Sequence, residues 1–144
     1  MAGSKHLLDL KHAGRRGGVV VLAAASLLGI MTAPASASSW SSYLSNAAPG
    51  YESRRWADNG GRTNIKFTGC ADDWTNSHVA VQLFKDTFGP DPYYSSQRYS
   101  ECFKGSSSTS SGWWEDHGSG DYYFDVNGAL FGVHVWVDDV TVNY

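Results

Sequence analysis

Cysteine is scarce in this chain: Cys70 and Cys102 are the only two in 144 residues. A zinc site needs about four ligands, and no histidine stands at ligand spacing from either cysteine. Long apolar runs are also missing. The one candidate, Val19 to Met31, is 13 residues long, against roughly 20 for a membrane-spanning helix. Basic residues are few, 11 Lys and Arg against 14 Asp and Glu. That balance excludes the basic face that nucleic acid or an anionic membrane requires. No H-x-x-x-H, H-E-x-x-H or G-x-S-x-G spacing occurs after residue 37, so neither a metal centre nor a serine nucleophile elbow is expected. No cofactor is expected.

What the chain does contain begins with an export signal. Lys5, Lys11, Arg15 and Arg16 precede the apolar run, and Ala33-Pro34-Ala35-Ser36-Ala37 follows it. Positive charge, a short apolar core and an A-x-A site make a secretory signal peptide over 1–37, cleaved after Ala37. The expected location is extracellular. After Ala37 seven basic residues face 13 acidic ones, a net charge of −6, and all 20 aromatic residues lie in this part. Two cysteines in an exported chain pair in only one way. Cys70 and Cys102, 32 positions apart, are expected to form a disulfide worth roughly 3–4 kcal/mol on the chain-entropy account.

Residues 38–50 are rich in Ser and Ala and are expected to form a flexible arm. Trp40, Tyr43 and Leu44, three and four apart, would share one face if the arm became helical on a partner, and they are the candidate anchors. Residues 51–144 alternate with the two-residue period of half-buried strands. Arg62 to Cys70 sets Thr63, Ile65 and Phe67 against Asn64, Lys66 and Thr68. His78 to Thr87 sets Val79, Val81 and Leu83 inward, and Asp121 to Asn127 does the same with Tyr122, Phe124 and Val126. Tyr93 to Phe103 is expected as a strand carrying Cys102, and Lys104 to Gly112 as a flexible loop. Phe131, Val133, Val135 and Val137 open a closing strand that runs through Asp138-Asp139 to Val140 and Val142. Six or seven short strands with frequent turns predict an all-β fold. The expected form is a small antiparallel two-sheet β-sandwich, immunoglobulin-like or crystallin-like, with one disulfide.

The doublets Asp72-Asp73, Glu115-Asp116 and Asp138-Asp139 suggest acid–base pairs. Neighbours on a strand point to opposite faces, so a doublet does not flank a substrate. Glu115-Asp116-His117 is the best catalytic cluster, but it sits between glycine-rich turns where a solvated loop is expected. The expectation is a non-enzymatic protein. Trp74, Trp113, Trp114 and Trp136 are candidate platforms for sugar rings, Trp113 and Trp114 foremost, so a glycan is one possible partner.

The run Val135-Trp136-Val137-Asp138-Asp139-Val140-Thr141-Val142 resembles the last strand of jelly-roll carbohydrate-binding modules. That resemblance implies a small secreted glycan-binding protein, with an aspartate of this region helping to hold a structural calcium. A second resemblance covers more of the chain. It rests on Glu52-Ser53-Arg54-Arg55-Trp56, the Thr63–Cys70 strand, Cys102 and Tyr122-Tyr123-Phe124-Asp125-Val126. With a signal peptide, a polar arm and a domain of this length, these look like the small adaptor subunits of the umbrella toxin particles of filamentous bacteria. The resemblance implies a non-catalytic linker between a lectin-bearing subunit and a large repeat-containing toxin subunit. The arm, with Trp40, Tyr43 and Leu44, would dock in one partner. A third reading, a secreted enzyme inhibitor, would place its bait on Lys104–Gly112, a loop without the rigidity that inhibition needs.

Overall fold

Alternation of the kind seen in Thr63–Thr68 and Val79–Phe84 buries one side of each strand, and two such surfaces must close on each other. The computed structural model describes residues 37–74, 77–128 and 133–144. The expected signal peptide, but for its last residue, and Phe131 of the expected closing strand lie outside the described residues. Within them the chain forms β1 (Ser39–Ala47), β2 (Tyr51–Glu52), β3 (Trp56–Asp58), β4 (Thr63–Asp72), β5 (Val79–Asp86) and β6 (Tyr93–Tyr99). A single 3-10 turn, Glu101–Lys104, precedes β7 (Thr109–Trp114), β8 (Gly120–Gly128) and β9 (Val135–Asn143).

The strands make two antiparallel sheets. The first has the order β1-β9-β4-β7; the second runs β2-β8-β5-β6, with β3 also on β8 beside β2. This is the expected two-sheet sandwich. Its core is Trp40 and Leu44 from β1, Ile65 and Phe67 from β4 and Trp114 from β7, with Val137, Val140 and Val142 from β9. Facing them are Trp56, Val79, Val81, Leu83, Tyr99, Tyr122, Phe124 and Val126. Phe67 sits edge-on to Tyr99 and Phe124 at 5.0 and 5.6 Å, a favoured geometry for aromatic pairs.

Several segments depart from the sequence reading. Residues 39–47 are a strand, not a flexible arm: β1 pairs with β9 from Ser39↔Asn143 to Ala47↔Val135. Its buried residues are Trp40, Leu44 and Ala47. Register shifts on either side of Leu44 break the two-residue alternation, which is why their spacing reads as helical. Only the first part of the expected loop 104–112 is a turn: from Thr109 onward the chain is β7, paired with β4 from Thr63↔Trp114 to Thr68↔Thr109. Cys102 lies in the 3-10 turn instead of on a strand. Asn127 and Gly128, an Asn-Gly pair of the kind that favours tight turns, still pair with Ala80 and Val79.

The break between β2 and β3 has a defined cause. At Ser53 the backbone N–H donates to the Phe124 carbonyl at 2.8 Å. The Ser53 hydroxyl accepts the Phe124 N–H at 2.9 Å and donates to the Arg54 carbonyl. A side chain thus replaces one rung of the ladder, satisfying a backbone group that would otherwise be buried and unpaired.

Candidate functional site

The two open sides of the sandwich are built differently, and the difference locates the candidate sites. On the side of β6 and β7 the sheets are laced together. Trp114 Nε1 donates to the Ser95 carbonyl at 2.7 Å, and Gln97 Nε2 donates to the Trp113 carbonyl at 3.3 Å. The Tyr99 hydroxyl crosses the core to donate to the Ile65 carbonyl at 2.6 Å. Burial pushes the Tyr99 hydroxyl far above its ordinary pKa, so it stays a donor. Gly112 makes this crossing possible, since a Cβ there would lie 2.5 Å from the Tyr99 oxygen. The Cys70–Cys102 disulfide closes the same side, and the Cys102 N–H donates to Ser110 Oγ at 2.9 Å.

The opposite side, between β1 and β2, is held mainly by ring packing. Trp40 stacks on Phe124 and tilts against Trp56, with centroids 6.3 and 5.8 Å apart. The indole N–H groups of both tryptophans are buried without a hydrogen-bond partner. A small groove of about 70 Å³ opens here, lined by Trp40, Ser42, Leu44, Tyr51, Ser53 and Arg54 with Phe124 and Val140 beneath. The Arg54 guanidinium lies over the Trp40 ring, 4.5 Å from its centroid, a cation–π contact. The neighbouring Arg54 and Arg55 part company. Arg55 bonds Glu52 and Asp86, each at 2.9 Å, whereas Arg54 makes no ion pair among the described residues. On the rim Tyr43 is 68% exposed, and Tyr51 is also exposed.

A second surface lies at the far edge of the first sheet. Trp113 is 52% exposed and Trp114 only 2%; neighbours on β7 face opposite ways, so only Trp113 can offer a platform. The Arg62 guanidinium stands 5.1 Å from the Trp113 ring and bonds Glu115 at 3.1 Å. Arg62 also lines an open depression of about 430 Å³ with Asp58, Asn59, Gly60, Gly61 and Tyr144. The Asp58 carboxylate shapes that loop by accepting the Gly60 N–H at 2.8 Å. Elsewhere Phe88 and Tyr93 are exposed around the β5–β6 turn, and Trp74 is exposed as well.

Several of the acidic and imidazole groups are engaged locally. Glu115 binds Arg62, Asp116 accepts the Gly118 N–H at 2.7 Å, and His117 stacks flat on Tyr94 at 3.6 Å. Those three therefore do not combine. Asp73 accepts from the His134 ring and backbone, which holds its carboxyl below the usual range. Asp91 accepts the Thr87 N–H and then the Tyr123 hydroxyl, and is lowered likewise. Burial, then Asp91, pushes Tyr123 up to about 12. Asp125 stands apart from these: one of its oxygens is buried without a partner. Burial first, and Glu52 second, raise its carboxyl above the usual range. Among the described residues no group of three or more His, Cys, Asp and Glu could hold a metal ion.

Of the residues singled out from the sequence, Cys70 and Cys102 are joined. Tyr43 is on the surface, but Trp40 and Leu44 are core residues and not free anchors. Trp113 is exposed, and Trp114 is a structural residue. Arg54, Tyr51, Arg62 and Asn59 were missed. An arginine beside a turn or a short strand carries no sequence signal until its neighbours across the sheets are known. Compared with known proteins, the chain matches no family model, no curated protein and no solved structure.

Proposed function

We propose that the chain is an exported, non-catalytic adaptor that holds two larger secreted proteins together, as in the umbrella toxin particles it resembles. A lectin-bearing subunit would sit on one side and a large repeat-containing toxin subunit on the other. One observation carries this reading. Exposed aromatics stand at both edges of one rigid sheet, Tyr43 on β1 and Trp113 on β7. Three strand spacings, roughly 14 Å, separate those edges. Two aromatic anchors that far apart on one scaffold can engage two partners without competing. Docking through a free arm is replaced by docking through the face and edge of β1, because Trp40 and Leu44 are committed to the core.

The test is recovery of partners from culture medium with tagged protein. Tyr43→Ala should lose one partner and keep the other, and Trp113→Ala should do the reverse. Recovery of the same set by both variants would sink the reading. A specific observation also favours the glycan alternative: Trp113, Arg62 and the polar depression beside Asn59 are contiguous through Arg62. An exposed ring beside convergent polar groups suits a saccharide. On that reading Trp113→Ala abolishes retention on a polysaccharide column. Absence of retention across a broad glycan panel retires it.

A further inference from the structure

The groove between β1 and β2 brings together an arginine without a carboxylate partner among the described residues and a tryptophan whose indole N–H is unpaired. Trp40, 8% exposed, is one of the groove's residues, and its indole N–H is buried with no partner. A buried donor left unpaired costs about 1–3 kcal/mol, which an incoming acceptor recovers. Arg54 lines the same groove and is held in place over the Trp40 ring. Unlike Arg55 and Arg62, it has no carboxylate partner among the described residues. Ser42 and Tyr51 also line it, the Ser42 hydroxyl donating to the Tyr43 carbonyl at 3.5 Å. The groove has the room of a carboxylate and its methylene, and its polar equipment includes a cation and an indole N–H in an otherwise acidic chain.

The groove also lies beside a usable backbone edge. β1 is an edge strand of its sheet, so half of its N–H and C=O groups face away from β9. Its register is regular over Ser39–Ser42 and shifts only beyond, between Ser42 and Leu44. That regular portion carries Trp40 and Ser42, both groove residues. An extended segment added there would gain main-chain hydrogen bonds, with alternate side chains entering the gap between the sheets.

We infer that the β1–β2 groove binds an extended segment of a partner protein that adds to β1 along Ser39–Ser42 and seats an Asp or Glu carboxylate against Arg54 and the Trp40 indole. The inference rests on the binding reading above and names the chemistry of one partner. Charge complementarity selects the occupant: a neutral strand would satisfy the edge but leave Arg54 unpaired. A second copy of this acidic chain is the competing occupant.

The probe is a blocked heptapeptide, acetyl-Thr-Val-Thr-Glu-Thr-Val-Thr-amide, compared with its Gln counterpart. Binding is followed by indole N–H resonances in a two-dimensional NMR titration of the isotope-labelled protein. The Glu peptide should bind at least about tenfold more tightly than the Gln peptide, as a charge-assisted bond predicts. It should move the Trp40 indole N–H downfield. Arg54→Ala, an exposed change whose fold is checked by the same spectrum, should erase the Glu preference. Equal binding of the two peptides, a preference that survives Arg54→Ala, or shifts centred on Trp113 would each overturn the inference. So would self-association of the free protein through β1 in sedimentation, lost on Arg54→Ala. Partner recovery from medium that depends on Tyr43 but not on Arg54 would refute this groove and leave the adaptor reading intact.

Discussion

Gly69 has φ +65° within β4, a conformation that costs an L residue energy. A Cβ there would lie 2.4 Å from Asp138 Oδ2 and 2.8 Å from the Ser106 carbonyl. Gly69→Ala should therefore destabilise the fold by about 2–4 kcal/mol, measured by urea denaturation. Adding Asp138→Ala should recover only part of the loss, because the Ser106 backbone does not move away. Asp125 gives a prediction of opposite sign. Its folded pKa is raised by burial and by Glu52, so the folded state binds that proton more tightly than the unfolded chain. The carboxyl then costs nothing below its unfolded pKa of about 3.9, and the cost grows as pH rises through the folded value. Asp125→Asn should leave the melting temperature unchanged near pH 3 and raise it by a few degrees at pH 7. Asp73 and Asp91, with lowered pKa values, act the other way: their contribution is present above the unfolded pKa and lost as pH falls. Both proteins share that acid loss, so the difference between them isolates Asp125.

Strands whose inward positions are all bulky announce themselves; strands that make room for a neighbour do not. Val79, Val81 and Leu83 of β5, and Tyr122, Phe124 and Val126 of β8, were legible because each fills its own share of the core. β7 was not, since its inward positions are Ser110, Gly112 and Trp114. The first two are small because the Tyr99 ring and the Cys102 backbone occupy the space they leave. Tyr123 misled in the other direction. It faces outward yet is buried, stacked on Phe84 at 5.2 Å and covered by the Arg55 guanidinium at 4.1 Å. Period two predicts which face a residue takes and says nothing of what lies on top of it. The disulfide was legible from the count of two cysteines and the expected compartment, but its placement was not. It ties central strand β4 to the 3-10 turn between β6 and β7, so it fixes the passage from one sheet to the other. Cys70→Ser with Cys102→Ser should lower stability by about 3–4 kcal/mol. The largest rise in amide exchange should fall on β7, which would lose the turn that anchors its entry.

The whole molecule is closed by its most distant partners, since residues 39–47 pair with 135–143. Strand β9 lies between β1 and β4, so it cannot complete its sheet until the early strand arrives. Non-local pairing of this kind makes folding slow, in the millisecond-to-second range. It also changes what a truncation means. Removal of a flexible 38–50 arm would subtract a binding element from an intact domain. Removal of β1 instead strips Trp40 and Leu44 from Phe124, Trp56 and the valines of β9, each large side chain worth roughly 1.5–3 kcal/mol of burial. The side it uncovers is the one without the lacing that Trp114, Gln97, Tyr99 and the disulfide give the other. A chain beginning at Tyr51 should therefore lose near-ultraviolet dichroism from its tryptophans and melt without a cooperative transition. Tyr43→Ala, which removes only an exposed ring, should melt within about 0.5 kcal/mol of the parent. A sharp, parent-like melt of the truncated chain would mean that β1 is an ornament on a finished domain, and docking through a released arm would regain its place.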